Sequence, residues 1–171
     1  MKPIRVGIAG MGVVASGVVK VLQRNQTEIA RRAGRGIEVT VVAERTPNKA
    51  AYLAEKGVQI VNDLSVLASH PDVDIVVELM GGYEPARTFV LEAIAHGKHV
   101  VTANKALLAV HGNEIFKAAQ DKGVTVAFEA AVAGGIPVIK ALREGLSANR
   151  IEWIAGIING TTNFILTQMR D

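Results

Sequence analysis

Short apolar runs alternate along the chain with stretches in which apolar residues return every three or four positions. IRVGIAG is a β-branched run that stops at glycine and predicts a strand. From Val14, apolar residues at Val14, Val18, Val21, Leu22 and Ile29 keep helical spacing. IEVTVVAE predicts a second strand, NKAAYLAEKG a short helix closed by Gly57, and VQIV a third strand. DLSVLASHP predicts a helix capped by Asp63 and stopped at Pro71, followed by the strand VDIVVEL. In PARTFVLEAIAHG, Pro85 suits the first turn, and Ala86, Phe89, Val90, Ala93 and Ile94 share one face. KHVVTA and GVTVAFEA predict two more strands, with the helix NEIFKAAQDKG between them.

After Glu129 the rhythm changes. AAVAGGIPVIKALREGL reads as a loop followed by a helix with Ile139, Leu142 and Leu146 turned inward. RIEWIAGII predicts a strand that opens a new unit, and NGTTNFILTQMRD begins a helix. Apolar strands separated by amphipathic helices predict an α/β fold, a doubly wound parallel sheet covered on both faces. The domain boundary is expected at Glu129: residues 1–129 form the sheet domain, and residues 130–171 start a second one.

The turn after the first strand carries the first chemistry. GIAGMGVVASG holds Gly10-x-Gly12-x-x-Ala15, with Gly17 two residues further on. At a strand–helix junction this spacing predicts dinucleotide binding, and hence a Rossmann-like NAD(P)-binding domain. Gly10 makes the turn, Gly12 lets backbone approach a pyrophosphate, and Ala15 keeps helix and strand close. The phosphates would rest on the amides of Val13 and Val14 at the positive end of the helix. Cofactor choice is read after the second strand, in VAERTP. Glu44 suits a ribose 2′-hydroxyl and so NAD, whereas Arg45 suits a 2′-phosphate and so NADP. Both remain open at this point.

Two further stretches fall at carboxyl ends of predicted strands, where ligands bind in such sheets. In ELMGGYEPA, Gly81 and Gly82 let backbone come close to the cofactor. In VTANKALLAVHG, Lys105 interrupts an aliphatic run and is expected to face the same crevice as Gly12. His111 is read as a helix-end or loop histidine bonded to backbone, with a catalytic base as the less favoured alternative. Glu129, at the end of an apolar strand and before a loop of small residues, is open to three readings: base, metal ligand, or binder of backbone amides.

Composition narrows the function class. The 171 residues are 49% hydrophobic, enough for one real core. The formal net charge of +3 comes without a block of like charge, so nucleic-acid binding by bulk electrostatics is not expected. Cysteine is absent, which excludes disulfides and thiolate chemistry. His70, His96 and His99 lack metal-ligand spacing with carboxylates, so no zinc site is expected. Without a leader-like segment or a membrane-length apolar run, a cytoplasmic protein with no membrane partner is expected.

Taken together, GIAGMGVVASGVV, VVELMGG, GKHVVTANKALLAVHG, FEAAVAGGIPVIKALREGL and IEWIAGIINGTTNFIL resemble homoserine dehydrogenase, in that family's order and over almost the whole chain. The resemblance is to the bacterial monofunctional type, since Met1 directly precedes the first strand. It implies NAD(P)-dependent interconversion of L-homoserine and L-aspartate 4-semialdehyde, on the way to threonine, methionine and isoleucine. It implies a homo-oligomeric intact enzyme whose second domain binds substrate and dimerises. Lys105 matches the family lysine that reaches the nicotinamide end. Glu129, Val132, Gly134 and Ile136 match positions that hold Na+ in the family, largely through carbonyls. Asn159 to Asn163 match a segment near the substrate crevice, whereas Arg150 and Glu152 match nothing and are read as solvated. Val13 and Ala15 replace the family's commoner Thr and Gly. The family's catalytic Asp and proton-donating Lys come later than Asp171, so no catalytic residue is expected within this chain. Two alternatives remain: a related two-domain dehydrogenase, and an NAD(P)-binding regulatory module without catalysis.

Overall fold

A computed structural model describes residues 1–157 and 159–170. Six strands form one sheet: β1 (Ile4–Ala9), β2 (Ile37–Ala43), β3 (Gln59–Val61), β4 (Ile75–Glu78), β5 (His99–Thr102) and β6 (Val126–Ala127). Their order is β3-β2-β1-β4-β5-β6, and every neighbouring pair is parallel. Parallel strands need crossovers, and the helices α1 (Val13–Arg24), α2 (Gln26–Ala33), α3 (Ala51–Ala54), α4 (Leu64–Ser69), α5 (Ala86–Ala95) and α6 (Lys105–Lys122) supply them. This is the doubly wound plan expected from the alternation of runs.

The sheet is buried on both faces because successive strand residues point to opposite sides. Val41 and Ala43 join one apolar cluster, with Leu67, Phe89, Val90, Ile94, Leu107 and Ile115 from α4, α5 and α6. Val42 joins the other, with Ile8, Val19, Leu53 and Val77, between the sheet and α1 and α3. Each fully buried Val, Leu, Ile or Phe among them contributes about 1.5–3 kcal/mol. Strand β1 and helix α4 pack closely at Gly7, where a Cβ would lie 2.5 Å from the Leu67 Cδ1.

Several boundaries differ from the sequence reading. The first helix breaks at Asn25 into α1 and α2, and its buried stripe is Ala15 and Val19, with Val14 and Val21 exposed. The small Ala15 sits against the sheet, and Val14 is held out at the helix end. Helix α6 begins at Lys105, well before NEIFKAAQDKG, because Asn104 caps it by accepting from the Leu107 amide at 3.1 Å. Gly112 lies inside α6, buried, where a Cβ would meet the Phe116 ring at 3.4 Å. Only two residues of GVTVAFEA pair as a strand.

After β6 the chain makes a 3-10 turn (Glu129–Ala131), a single turn α7 (Val138–Lys140) that widens into a π-helical turn (Ala141–Gly145), and the helix α8 (Gly160–Arg170). Ile139 and Leu142 are half-buried as expected, but Leu146 is exposed. The strand expected in RIEWIAGII is not formed over residues 151–157; Ile158 lies outside the described residues. Extended backbone becomes a strand only beside another strand, and these exposed residues have no backbone partner among the described residues.

Candidate functional site

All six strands run the same way, so their carboxyl ends share one edge. The winding reverses between β1 and β4: β2 and β3 lie to one side, β5 and β6 to the other. A crevice opens at such a switch point. Here it is a cleft of about 430 Å³ lined by Gly10, Gly12, Arg45, Lys49, Gly81 and Glu84 among others.

The two turn glycines are needed for different reasons. Gly10 has φ +86°, its amide donates to the Ala43 carbonyl at 2.9 Å, and a Cβ would sit 3.3 Å from the Met80 Cγ. Protein geometry alone demands glycine there. Gly12 caps α1 with φ −82°, and a Cβ would meet no atom within 4 Å. Nothing among the described residues requires that position to be bare. The amides of Val13, Val14 and Ala15 find no acceptor among the described residues, and Val13 is 91% exposed. The start of α1 therefore presents unpaired donors to an open space beside the cleft. Ala15, the third small position, is buried against the sheet.

Glu44 is not a free acceptor. Its Oε2 accepts from the Met11 amide at 2.8 Å and its Oε1 from the Thr46 amide at 2.9 Å, tying the end of β2 to the glycine turn. Burial pushes its pKa up, but the Thr46 and Met11 amides, with the charges of Lys49 and Arg45, more than offset this. The carboxyl is held below the usual range. Arg45 and Lys49 are exposed, line the cleft, and form no ion pair among the described residues.

At the end of β4 stands a residue to which the sequence reading gave no role. Glu78 is fully buried, and its Oε1 accepts from the Met80 and Gly81 amides at 2.8 and 3.2 Å. Its Oε2 accepts from the Thr102 hydroxyl at 2.6 Å. A signal existed: a carboxylate inside a run expected to be buried on both faces must find donors. Beyond it, Gly81 and Gly82 have φ of +76° and +75°, and no atom lies within 4 Å of where either Cβ would be.

Lys105 is the first residue of α6, exposed, at the same sheet edge as Gly12. Two strand spacings separate the ends of β1 and β5, about 10 Å. A cation at a helix N-terminus opposes the helix dipole, so helix stability does not account for it. His111 lies within α6, not at a helix end or in a loop. Its ring meets Tyr83 edge-on at 6.1 Å, and its Nδ1 is 3.8 Å from the Glu114 carboxylate.

The Glu129 group lies on one loop. The Glu129 carboxylate accepts from the Ile139 and Lys140 amides at 2.9 and 3.0 Å, which caps α7. Val132, Gly134 and Ile136 are exposed around Ala133, whose φ is +48°. The Ile136 carbonyl accepts from the Val138 amide, whereas those of Val132 and Gly134 have no backbone donor among the described residues. Asn159 caps α8 by accepting from the Thr162 amide at 2.8 Å, and Arg150 and Glu152 are exposed. Among the described residues no helix is long and apolar enough to cross a membrane.

Residues 10–129 match the family model for the homoserine dehydrogenase NAD-binding domain, and residues 137–171 match the homoserine dehydrogenase family model. Homoserine dehydrogenase of Pseudomonas aeruginosa is 64% identical over 171 residues, covering 100% of this chain and 39% of the relative. That of Neisseria gonorrhoeae is 54% identical with the same coverage. The chain therefore spans about two fifths of the length of the curated relatives it matches. The crystal structure of a homoserine dehydrogenase from Thiobacillus denitrificans superposes with a TM-score of 0.91 at 63% identity, covering 99% of this chain and 39% of that one. A hyperthermophilic archaeal homoserine dehydrogenase in complex with NADPH superposes with a TM-score of 0.81 at 25% identity, over 98% of this chain and 56% of that one. The chain belongs to the homoserine dehydrogenase family and carries that family's NAD-binding domain.

Proposed function

We propose that this chain is the cofactor-binding portion of a homoserine dehydrogenase, and that it holds NADP(H) while L-aspartate 4-semialdehyde and L-homoserine interconvert. The nicotinamide supplies the hydride when bound. One observation carries the reading: Gly12 is bare toward open space, beside unpaired amides at the switch point of the sheet. The amides of Val13 and Val14 would hold the pyrophosphate, Gly10 shapes the turn, and the bare backbone at Gly81 borders the ribose or nicotinamide. Lys105 would give electrostatic support at the reacting end. NADP is favoured over NAD because Glu44 is engaged by two amides, whereas Arg45 and Lys49 leave positive charge at the cleft.

The same reading divides the chain at 129/130, with residues 130–171 beginning the substrate and dimerisation domain of a cytoplasmic homo-oligomer. Glu129, Val132, Gly134 and Ile136 would hold Na+ between the domains, mainly through carbonyls. The unpaired carbonyls of Val132 and Gly134 support this.

The test is titration of the 171-residue chain with NADPH and NADH, followed by nicotinamide fluorescence. NADPH is expected to bind more tightly. Arg45→Ala combined with Lys49→Ala should weaken NADPH at least tenfold and leave NADH within twofold. No fluorescence change with either nucleotide at millimolar concentration would overturn the proposal.

A further inference from the structure

Glu78 is a costly residue for its position. It closes a four-residue strand whose other members are Ile75, Val76 and Val77, and it has no exposed surface. A carboxylate taken out of water is tolerated only when donors surround it, and an apolar replacement of similar volume is often neutral or stabilising. Stability alone therefore does not explain a carboxylate there.

Its hydrogen bonds lead from the end of β4 to the end of the neighbouring β5. Oε1 gathers the amides of Met80 and Gly81, which fixes the first half of the bare glycine backbone. Oε2 takes the Thr102 hydroxyl on the next strand, and the Thr102 Oγ1 in turn accepts from the Asn104 amide at 3.0 Å. The Asn104 Nδ2 donates back to the Gly82 carbonyl at 2.7 Å, fixing the second half of the glycine backbone. The Asn104 Oδ1 caps α6, whose first residue is Lys105. Thr102 and Asn104 are themselves buried. The chain of bonds closes on itself: Glu78, Thr102, Asn104, Gly82 and back through Gly81. Both functional loops are held by one buried carboxylate, and neither can shift without breaking bonds of the other.

We infer that Glu78 is a positioning residue, which locks the Gly81–Gly82 backbone to the start of α6 so that Lys105 and that backbone meet the nicotinamide half of the cofactor as one rigid unit. The inference rests on the proposed NADP(H) reading. Glu78 touches no cofactor atom itself; it acts through Thr102 and Asn104. Glu78→Gln keeps an oxygen for the Met80 and Gly81 amides but presents an amide group where the Thr102 hydroxyl needs an acceptor.

The experiment compares NADPH with 2′,5′-ADP, which lacks the nicotinamide half, by calorimetry on the 171-residue chain. Glu78→Gln and Thr102→Val should each weaken NADPH about tenfold and leave 2′,5′-ADP within twofold, and Thr102→Ser should restore NADPH affinity. Retained 2′,5′-ADP binding reports an intact fold, and Thr102→Val carries the test if Glu78→Gln fails to fold. Parallel loss of both ligands, or no loss of either, would overturn the inference and leave the cofactor reading standing. Equal wild-type affinity for the two ligands would overturn it as well, since the nicotinamide half would then contribute nothing. A wild-type chain that binds neither ligand removes the cofactor reading and this inference with it.

Discussion

Gly12→Val separates folding from binding. The φ of −82° and ψ of −165° at Gly12 are comfortable for valine, and a Cβ meets nothing within 4 Å. Glycine is better than valine at a helix N-cap, so the substitution costs about 1 kcal/mol. In a domain of this size that lowers Tm by about 2–4 °C. Its effect on NADPH is far larger. The branched side chain occupies the space through which a pyrophosphate reaches the Val13 and Val14 amides. Each hydrogen bond to a charged group contributes about 1.5–3 kcal/mol, so losing two weakens binding by about 3–6 kcal/mol, roughly a hundredfold to ten-thousandfold. The assay is nicotinamide fluorescence alongside a thermal melt. A variant that melts within a few degrees of the parent and still binds NADPH within threefold would refute this docking geometry.

Gly7→Ala places a methyl group 2.5 Å from the Leu67 Cδ1 and 3.1 Å from both Val73 methyls. Leu67 and Val73 are buried and have nowhere to move, so overpacking should cost about 1–3 kcal/mol. An unchanged denaturation midpoint would show that β1 and α4 are not in this close contact. Acid stability should follow Glu44 and Asp74. The Arg5 guanidinium, assisted by the Arg5 amide and the Arg5 and Lys98 charges, outweighs burial and holds the Asp74 carboxyl below its usual range. A depressed carboxyl stabilises the fold fully above its unfolded pKa and loses that contribution as pH falls through the folded value. Stability should therefore hold from pH 7 to about 5 and decline below the ordinary values of 4.5 for Glu44 and 3.8 for Asp74. Glu44→Gln and Asp74→Asn should each flatten the decline in urea titrations at pH 3 to 6. An unaltered slope in both would remove these groups from the account.

The doubly wound sheet was legible because β-branched runs such as VDIVVEL and amphipathic helices such as α5 follow opposite periodicities. The Gly10 and Gly12 turn was legible for the same local reason, a strand meeting a helix. What could not be read was partnership. Glu44 presents itself in sequence as a ribose acceptor; only the fold brings the Met11 amide to it, 33 residues away. Lys49 sits in a short 3-10 turn with no period of its own, and its place at the cleft is a tertiary fact. Helix α6 starts at Lys105, ahead of the expected NEIFKAAQDKG, because the Asn104 side chain caps it. Ile151, Trp153, Ile154 and Ile157 of RIEWIAGII favour a strand, but propensity does not supply a neighbour.

The order of the sheet has a consequence during synthesis. β1 is synthesised before either of its neighbours, β2 and β4, and β4 ends about 70 residues later. At roughly 5–20 residues per second, translation leaves the first strand without its second neighbour for about 3–14 s. Throughout that interval Ile8 and Ala9, wholly enclosed at the end, are sticky nascent chain. Slowing elongation ahead of codon 75 would lengthen that wait.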